Sequence, residues 1–193
     1  MRTRLVVSGV AALAAAAVAA AQATAAETAD VAKEQLKRGE YLVNYGGCGD
    51  CHTPKVMTPN GPAPDPSRLL SGHAANTPRP SALPPALIGP NPGQWGAITN
   101  NDLTEWVGPW GTSYASNLTP DVATGMGNWT SDQFITTMRT GKHLGVGRLL
   151  LPPMPWFDIA KLTDHDLRAV FAYLKSIKPI QNPVPQPVPP KGP

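Results

Sequence analysis

The sequence predicts a helical domain in which three helices are separated by long, irregular connections. Two segments open on helix-capping signals and continue with apolar residues at helical spacing. An earlier segment shows similar spacing until it meets Gly46-Gly47, and the remainder is rich in helix breakers. With 23 prolines and 18 glycines in 193 residues, regular structure must be sparse, yet a hydrophobic fraction of 41% is enough for one core.

Residues 1–25 begin with Arg2 and Arg4, continue through an alanine-rich apolar run and close on Ala23-Thr24-Ala25. A positive start, an apolar middle and a small-residue end are the marks of an export signal. Cleavage is expected after Ala25, with Ala23 as a second site. An uncleaved anchor would need about 20 strongly apolar residues, and this run is mostly alanine. Its removal leaves 14 basic and 13 acidic residues with no basic run or basic helix face, so a nucleic-acid partner is not expected.

Residues 31–46 place Leu36, Leu42 and Val43 on or beside one helical face, with Lys33, Lys37 and Arg38 elsewhere. Gly39 interrupts this helix at a cost of about 1 kcal/mol relative to alanine, which close approach of another helix would explain. Residues 55–116 show no sustained period and read as a long loop-rich insertion; only residues 94–107 suggest a short strand pair or a helical turn. Its Trp95, Trp106 and Trp110, with Leu87, are expected to cover a large apolar group, or to form a surface for a partner.

Thr130-Ser131-Asp132-Gln133 is a capping box flanked by the staple pair Trp129 and Phe134, and it opens a helix that stops at Gly141. Thr163-Asp164-His165-Asp166, flanked by Leu162 and Leu167, opens another. That helix carries Leu167, Val170, Phe171, Leu174 and Ile177 on one face and ends before Pro179. This face is expected to cross the N-terminal helix near Gly39. The proline-rich residues 179–193 read as an extended arm on the surface, or as disorder.

The chemistry is concentrated in Cys48-Gly49-Asp50-Cys51-His52, which holds both cysteines of the chain. Cys-x-x-Cys-His is the attachment pattern of a c-type haem: two thiols add to the two vinyl groups and the adjacent imidazole reaches the iron. A disulfide with this spacing would staple almost nothing. A thioredoxin-like pair would expect a long helix where Pro54 stands, and a closed zinc site would need a second cysteine pair. One haem c per chain follows, with Cys48, Cys51 and His52 holding it.

The opposite side of the iron decides the function, since a second ligand favours electron transfer and an open face favours ligand binding or catalysis. Met57 is close to the haem motif and Met138 lies inside a capped helix. Met154, in Leu151-Pro152-Pro153-Met154-Pro155-Trp156, sits where prolines fix the backbone in advance and no helical period buries it as core. Met126 and His143 are the other candidates, His73 and His165 weaker ones. Trp110, Tyr114 and Arg148 are candidate contacts around the haem.

Taken in order, the Gly-containing helix ending in Cys48-Gly49-Asp50-Cys51-His52-Thr53, then Ser116-Asn117-Leu118-Thr119-Pro120-Asp121, Gly127-Asn128-Trp129-Thr130, Pro152-Pro153-Met154-Pro155-Trp156 and Ala172-Tyr173-Leu174 resemble a bacterial class I-type cytochrome c. More narrowly, the chain is similar to the cytochrome domains in the haem subunits of periplasmic and membrane-bound dehydrogenases, over about residues 36–185. The resemblance implies an all-α cytochrome c fold with crossed N- and C-terminal helices around one covalent haem, and Met154 as the distal ligand. The expected organisation is a signal peptide over 1–25, a cytochrome domain over 26–178 and a proline-rich tail over 179–193. The expected function is single-electron transfer in the periplasm through His/Met-ligated iron rather than an enzymatic reaction, with no integral membrane span once the signal is removed. Redox partners would be a periplasmic or membrane-bound dehydrogenase and a terminal oxidase. The alternative is a haem enzyme or a gas- or peroxide-binding protein with an open distal site.

Overall fold

The computed structural model describes residues 4–78 and 97–190. Leu87 and Trp95, expected to cover the haem, lie outside them. The first helix, α1, spans Arg4–Tyr45, and Gly46 and Gly47 end it. Gly47 adopts φ 65°, a left-handed conformation that costs glycine little, and the chain turns directly into the short helix α2, Cys48–His52. The sharp corner therefore delivers the cysteine motif as a helical turn of its own.

The helix expected after the capping box is α3, Ser131–Thr140, and both reciprocal bonds of the box are present. A four-residue turn, α4 (Trp156–Ile159), follows the proline-rich segment, and α5 spans Asp164–Ser176 with the Thr163 side chain accepting from the Asp166 amide. Leu167, Ala169, Val170, Phe171 and Leu174 of α5 are buried with Val43 of α1 and with Phe134, Ile135 and Met138 of α3. The Phe134 and Phe171 rings meet at 5.6 Å.

At the crossing of α1 and α5, Gly39 lies against the α5 backbone. A methyl group there would stand 2.6 Å from the Ala169 carbonyl carbon and 2.8 Å from the Tyr173 Cβ. Arg38, on the same turn, pairs with Asp166 at 2.9 Å. The glycine that weakens α1 as an isolated helix is what allows the two helices to touch.

The expectation of an all-α fold is corrected. Two small antiparallel sheets occupy the segment read as loop: β1 (Lys55–Thr58) pairs with β2 (Gly61–Pro64), and β3 (Ile98–Thr99), β4 (Glu105–Gly108) and β5 (Gly111–Tyr114) form a second sheet. The fold is mixed, helices and small sheets together. Both hairpins close through two residues, in Thr58-Pro59-Asn60-Gly61 and Gly108-Pro109-Trp110-Gly111. Strands of two to four residues carry too few positions for an alternating pattern, so only the turn residues could have marked them.

Residues 179–190 lie extended along the body and are tied to it. The Asn182 amide nitrogen donates to the carbonyls of Ser71 (2.7 Å) and His73 (2.8 Å), and its side-chain oxygen accepts from the Ala75 amide (3.1 Å). Asn117 Nδ2 donates to the Ile180 carbonyl at 2.8 Å, and Val188 exchanges both backbone hydrogen bonds with Thr112 on β5. The segment is extended, as its prolines require, and strapped to the body by its own Asn182 side chain, by Asn117 and by the backbone pair with β5.

Candidate haem-binding site

α2 presents Cys48, Cys51 and His52 toward the interior. His52 is buried, and its Nδ1 stands 2.7 Å from the Ser116 carbonyl oxygen. A carbonyl can only accept, so Nδ1 carries the proton and donates. This fixes the neutral tautomer that leaves Nε2 with a free lone pair, the form an imidazole needs to bind a metal. Burial holds the His52 pKa below its ordinary value, which keeps the ring neutral.

The two thiols are half-buried and not joined to each other. Burial pushes the Cys48 pKa up, and burial together with the neighbouring Asp50 carboxylate does the same for Cys51. Both are therefore protonated thiols at neutral pH.

Two adjoining cavities open from this motif. The larger, about 590 Å³, is bordered by His52, Met126, Trp129, Met138, His143 and Met154 among others, with residues 183–187 along one side. The smaller, about 270 Å³, is bordered by Cys48, Cys51, His52, Trp106 and Met154. His52, Tyr114, Leu118, Arg148, Leu150 and Met154 border both, so the two are parts of one hollow. Cys48, Cys51, His52 and Met154, separated by about a hundred residues in sequence, are thus brought to one place.

Met154 is held there by the second sheet. Trp110 Nε1 donates to Ser113 Oγ at 3.2 Å, and Ser113 Oγ donates to the Pro152 carbonyl at 2.6 Å. A proline segment has few amide donors with which to anchor itself, so β5 supplies the donor. The site contains two groups that motif reading did not identify: the Ser116 carbonyl and the Ser113 hydroxyl. A backbone carbonyl leaves no trace in residue identity, and Ser113 acts only because a hairpin invisible to periodicity carries it to Pro152.

The remaining candidates separate clearly. Met57 is exposed on β1, His165 is exposed on α5, and His73 is buried with its Nδ1 3.0 Å from Thr104 Oγ1 and its ring 4.9 Å from that of Tyr114. None of the three borders the hollow. Met126 and Met138 are buried in its wall. His143 stacks edge-on against Trp129 at 5.1 Å, and burial followed by the nearby Arg148 charge lowers its pKa. Trp106 borders the smaller cavity, whereas Trp110 acts through Ser113.

Two free thiols, an imidazole with its proton fixed on the far nitrogen, and a thioether sulfur around one largely apolar hollow fit an iron porphyrin. Such a set is what a cytochrome domain of the c type would use. Its relatives narrow the class. The chain is 28% identical over 159 residues to the fructose dehydrogenase cytochrome subunit of Gluconobacter japonicus, 82% of this chain and 24% of that one. It is 30% identical over 152 residues to the cytochrome c subunit of the quinone alcohol dehydrogenase of Gluconobacter oxydans, 78% and 23% of the two chains. It is 31% identical over 145 residues to the gluconate 2-dehydrogenase cytochrome c subunit of Pantoea cypripedii, 75% and 24%. No family model matches the chain. The chain is similar to the cytochrome domains of dehydrogenase haem subunits, and that similarity implies a haem c cofactor and a part in electron transfer. It spans about a quarter of the length of these cytochrome c subunits.

Proposed function

We propose that this chain is an exported, single-haem cytochrome that passes one electron at a time in the periplasm, with His52 and Met154 as the residues that would hold the iron. The observation that carries the reading is that His52 and Met154 border the same hollow while Cys48 and Cys51 border the part of it beside His52. When bound, haem c supplies a one-electron iron couple whose potential depends on ligation, burial and hydrogen bonding.

The chain's own residues do the rest. Cys48 and Cys51 would hold the group through two thioether links. His52 offers Nε2 while Ser116 holds Nδ1–H, and Met154 offers a weak sulfur ligand that the Trp110–Ser113–Pro152 chain keeps in position. Leu118, Leu150, Phe134 and Met138 keep water from the hollow, so little reorganises when one electron arrives or leaves. Residues 1–25 act as the export signal. Residues 20–25 are exposed, so their own removal takes nothing from the described core. Among the described residues, no helix is long and apolar enough to cross a membrane.

The named relatives are subunits of dehydrogenases, which supports a dehydrogenase as electron donor; the onward acceptor in this reading is a terminal oxidase. The test is the visible spectrum of the exported protein, ferric and ferrous, with and without carbon monoxide. A far-red sulfur-to-iron band that disappears in Met154→Ala, together with a ferrous spectrum that carbon monoxide leaves unchanged, is expected. A high-spin ferric spectrum with rapid carbon monoxide binding in the unmodified protein would overturn the assignment in favour of an open distal site.

A further inference from the structure

Pro54 leaves the cysteine turn with a carbonyl that its own backbone cannot serve. In a continuing helix the Asp50 carbonyl would accept from the amide of residue 54, but proline has no N–H, and Thr53 is already extended. Lys55 takes that place. Its ammonium donates to the Asp50 carbonyl at 2.6 Å, to the Thr53 carbonyl at 2.7 Å and to the Asp102 carbonyl at 3.3 Å. An ammonium carries three N–H donors, so all of them are spent on backbone. Among the described residues, Lys55 forms no ion pair with a carboxylate.

The third partner gives this clamp its reach. Asp102 lies in the turn between β3 and β4, and that turn is itself fixed. Leu103 N donates to the Asn100 carbonyl at 3.0 Å, and Asn100 Oδ1 accepts from Thr104 N at 2.9 Å and from Glu105 N at 3.1 Å. Trp106 of β4 donates from Nε1 to the Leu103 carbonyl at 2.8 Å and borders the smaller cavity with Cys48 and Cys51. Lys55 therefore joins the turn that carries the cysteines to the sheet whose β5 holds the Met154 segment through Ser113. Its charge also reaches the motif: burial and Asp50 raise the Cys51 pKa, and Lys55 pulls it the other way.

We propose that Lys55 is a positioning residue of the haem site, clamping α2 to the second sheet, and that the charge it keeps beside the cysteine turn raises the potential of the iron. The inference rests on the haem reading above. A nearby cation favours ferrous over ferric iron, because the ferrous state carries one positive charge fewer, and carbonyl partners leave that cation in place where a carboxylate would cancel it.

The test is redox titration, at one pH, of the full haem-loaded chain as unmodified protein, Lys55→Met, Lys55→Arg and Lys178→Met, with thermal unfolding of each followed by circular dichroism. Lys178 is exposed and borders neither cavity, so its replacement reports the loss of one surface charge. Lys55→Met keeps the bulk of the side chain and removes its charge and donors. It is expected to lower Tm and to shift the couple roughly tenfold toward ferric iron, a fall of about 59 mV for one electron. Lys55→Arg, which keeps a cation with several donors, is expected to hold the potential near that of the unmodified protein. Lys178→Met is expected to leave both readings unchanged.

A merely structural lysine would lower Tm in Lys55→Met and leave the potential where it was, and that result overturns the proposal. An equal fall of potential in Lys178→Met or in Lys55→Arg overturns it too. Should Lys55→Met be exported without haem, Lys55→Gln, which loses the charge and keeps a donor, takes its place in the titration; absence of haem from Lys55→Arg as well counts against the proposal. Failure of the ligand assignment is distinguishable, because it is read from the sulfur-to-iron band of the unmodified protein, whereas Lys55 is read from differences between haem-loaded variants. Export of the unmodified protein without covalent haem overturns both.

Discussion

Replacing Gly39 with alanine tests the architecture that aims the cysteine motif. The new methyl would lie 2.6 Å from the Ala169 carbonyl carbon and 2.8 Å from the Tyr173 Cβ, against ordinary carbon contacts of about 3.5 Å or more, so α1 and α5 must separate by about 1 Å. Overpacking of this kind costs about 1–3 kcal/mol, and backbone atoms that cannot swing aside put the cost at the upper end. Alanine returns about 1 kcal/mol of helix propensity. The net loss is about 2 kcal/mol, or a fall in Tm of roughly 4–8 °C for a chain of this size. Thermal unfolding of the haem-loaded protein, followed by far-ultraviolet circular dichroism, measures it. Because Phe171 on α5 packs on Phe134 of α3, the sulfur-to-iron band is expected to weaken with the shift. An unchanged or raised Tm would show that propensity alone governs position 39 and that the helices do not meet there.

Ser113→Ala removes the donor to the Pro152 carbonyl and is expected to destabilise the Met154 segment by about 1–2 kcal/mol. Heating should then abolish the sulfur-to-iron band before the helices unfold, and coincident transitions would argue against the tether. Asp65 accepts from the Ser67 hydroxyl (2.7 Å) and amide (2.8 Å) and from Arg68 Nε (2.6 Å), contacts that bring its pKa down to about 2. A carboxyl lowered in the folded state adds stability above its ordinary range near 3.8 and loses it as pH falls toward 2. Asp65→Asn is therefore expected to flatten the acid limb of a Tm–pH curve between about pH 4 and about pH 2. An unchanged limb would place the acid sensitivity elsewhere.

The helices were legible because their signals are local and redundant. Thr130 with Gln133, Thr163 with Asp166, and the apolar face from Leu167 to Leu174 each carry information within a few residues, and the structure uses all three. Gly39 was legible for another reason: a glycine inside a helix demands an explanation, and the α5 backbone supplies it. Of the sheets, only the β3–β4 pair was suggested, as one of two alternatives for residues 94–107; the other strands were not legible. β3 holds two residues and the others four, so their existence depends on hairpin turns and on neighbours distant in sequence. His73 belongs to the loop-rich insertion and is nevertheless buried, because Thr104 and Tyr114 reach it from thirty or more positions away. Cys48, Cys51 and His52 announce themselves by spacing. Met154 is suggested by its prolines, but its position beside the hollow depends on β5 and on contacts that spacing does not record.

The strap formed by residues 180–188 bears on how the hollow is assembled. Its hydrogen bonds through Ile180 and Asn182 reach partners 58 to 111 positions away, in the 71–75 and 117–124 segments. Contacts of such long range carry a loop-closure cost, and they have nothing to bind until those earlier segments are in place. The strap therefore depends on those segments, and since residues 183–187 border the larger cavity, one wall of the hollow is only as firm as pairings made across most of the chain.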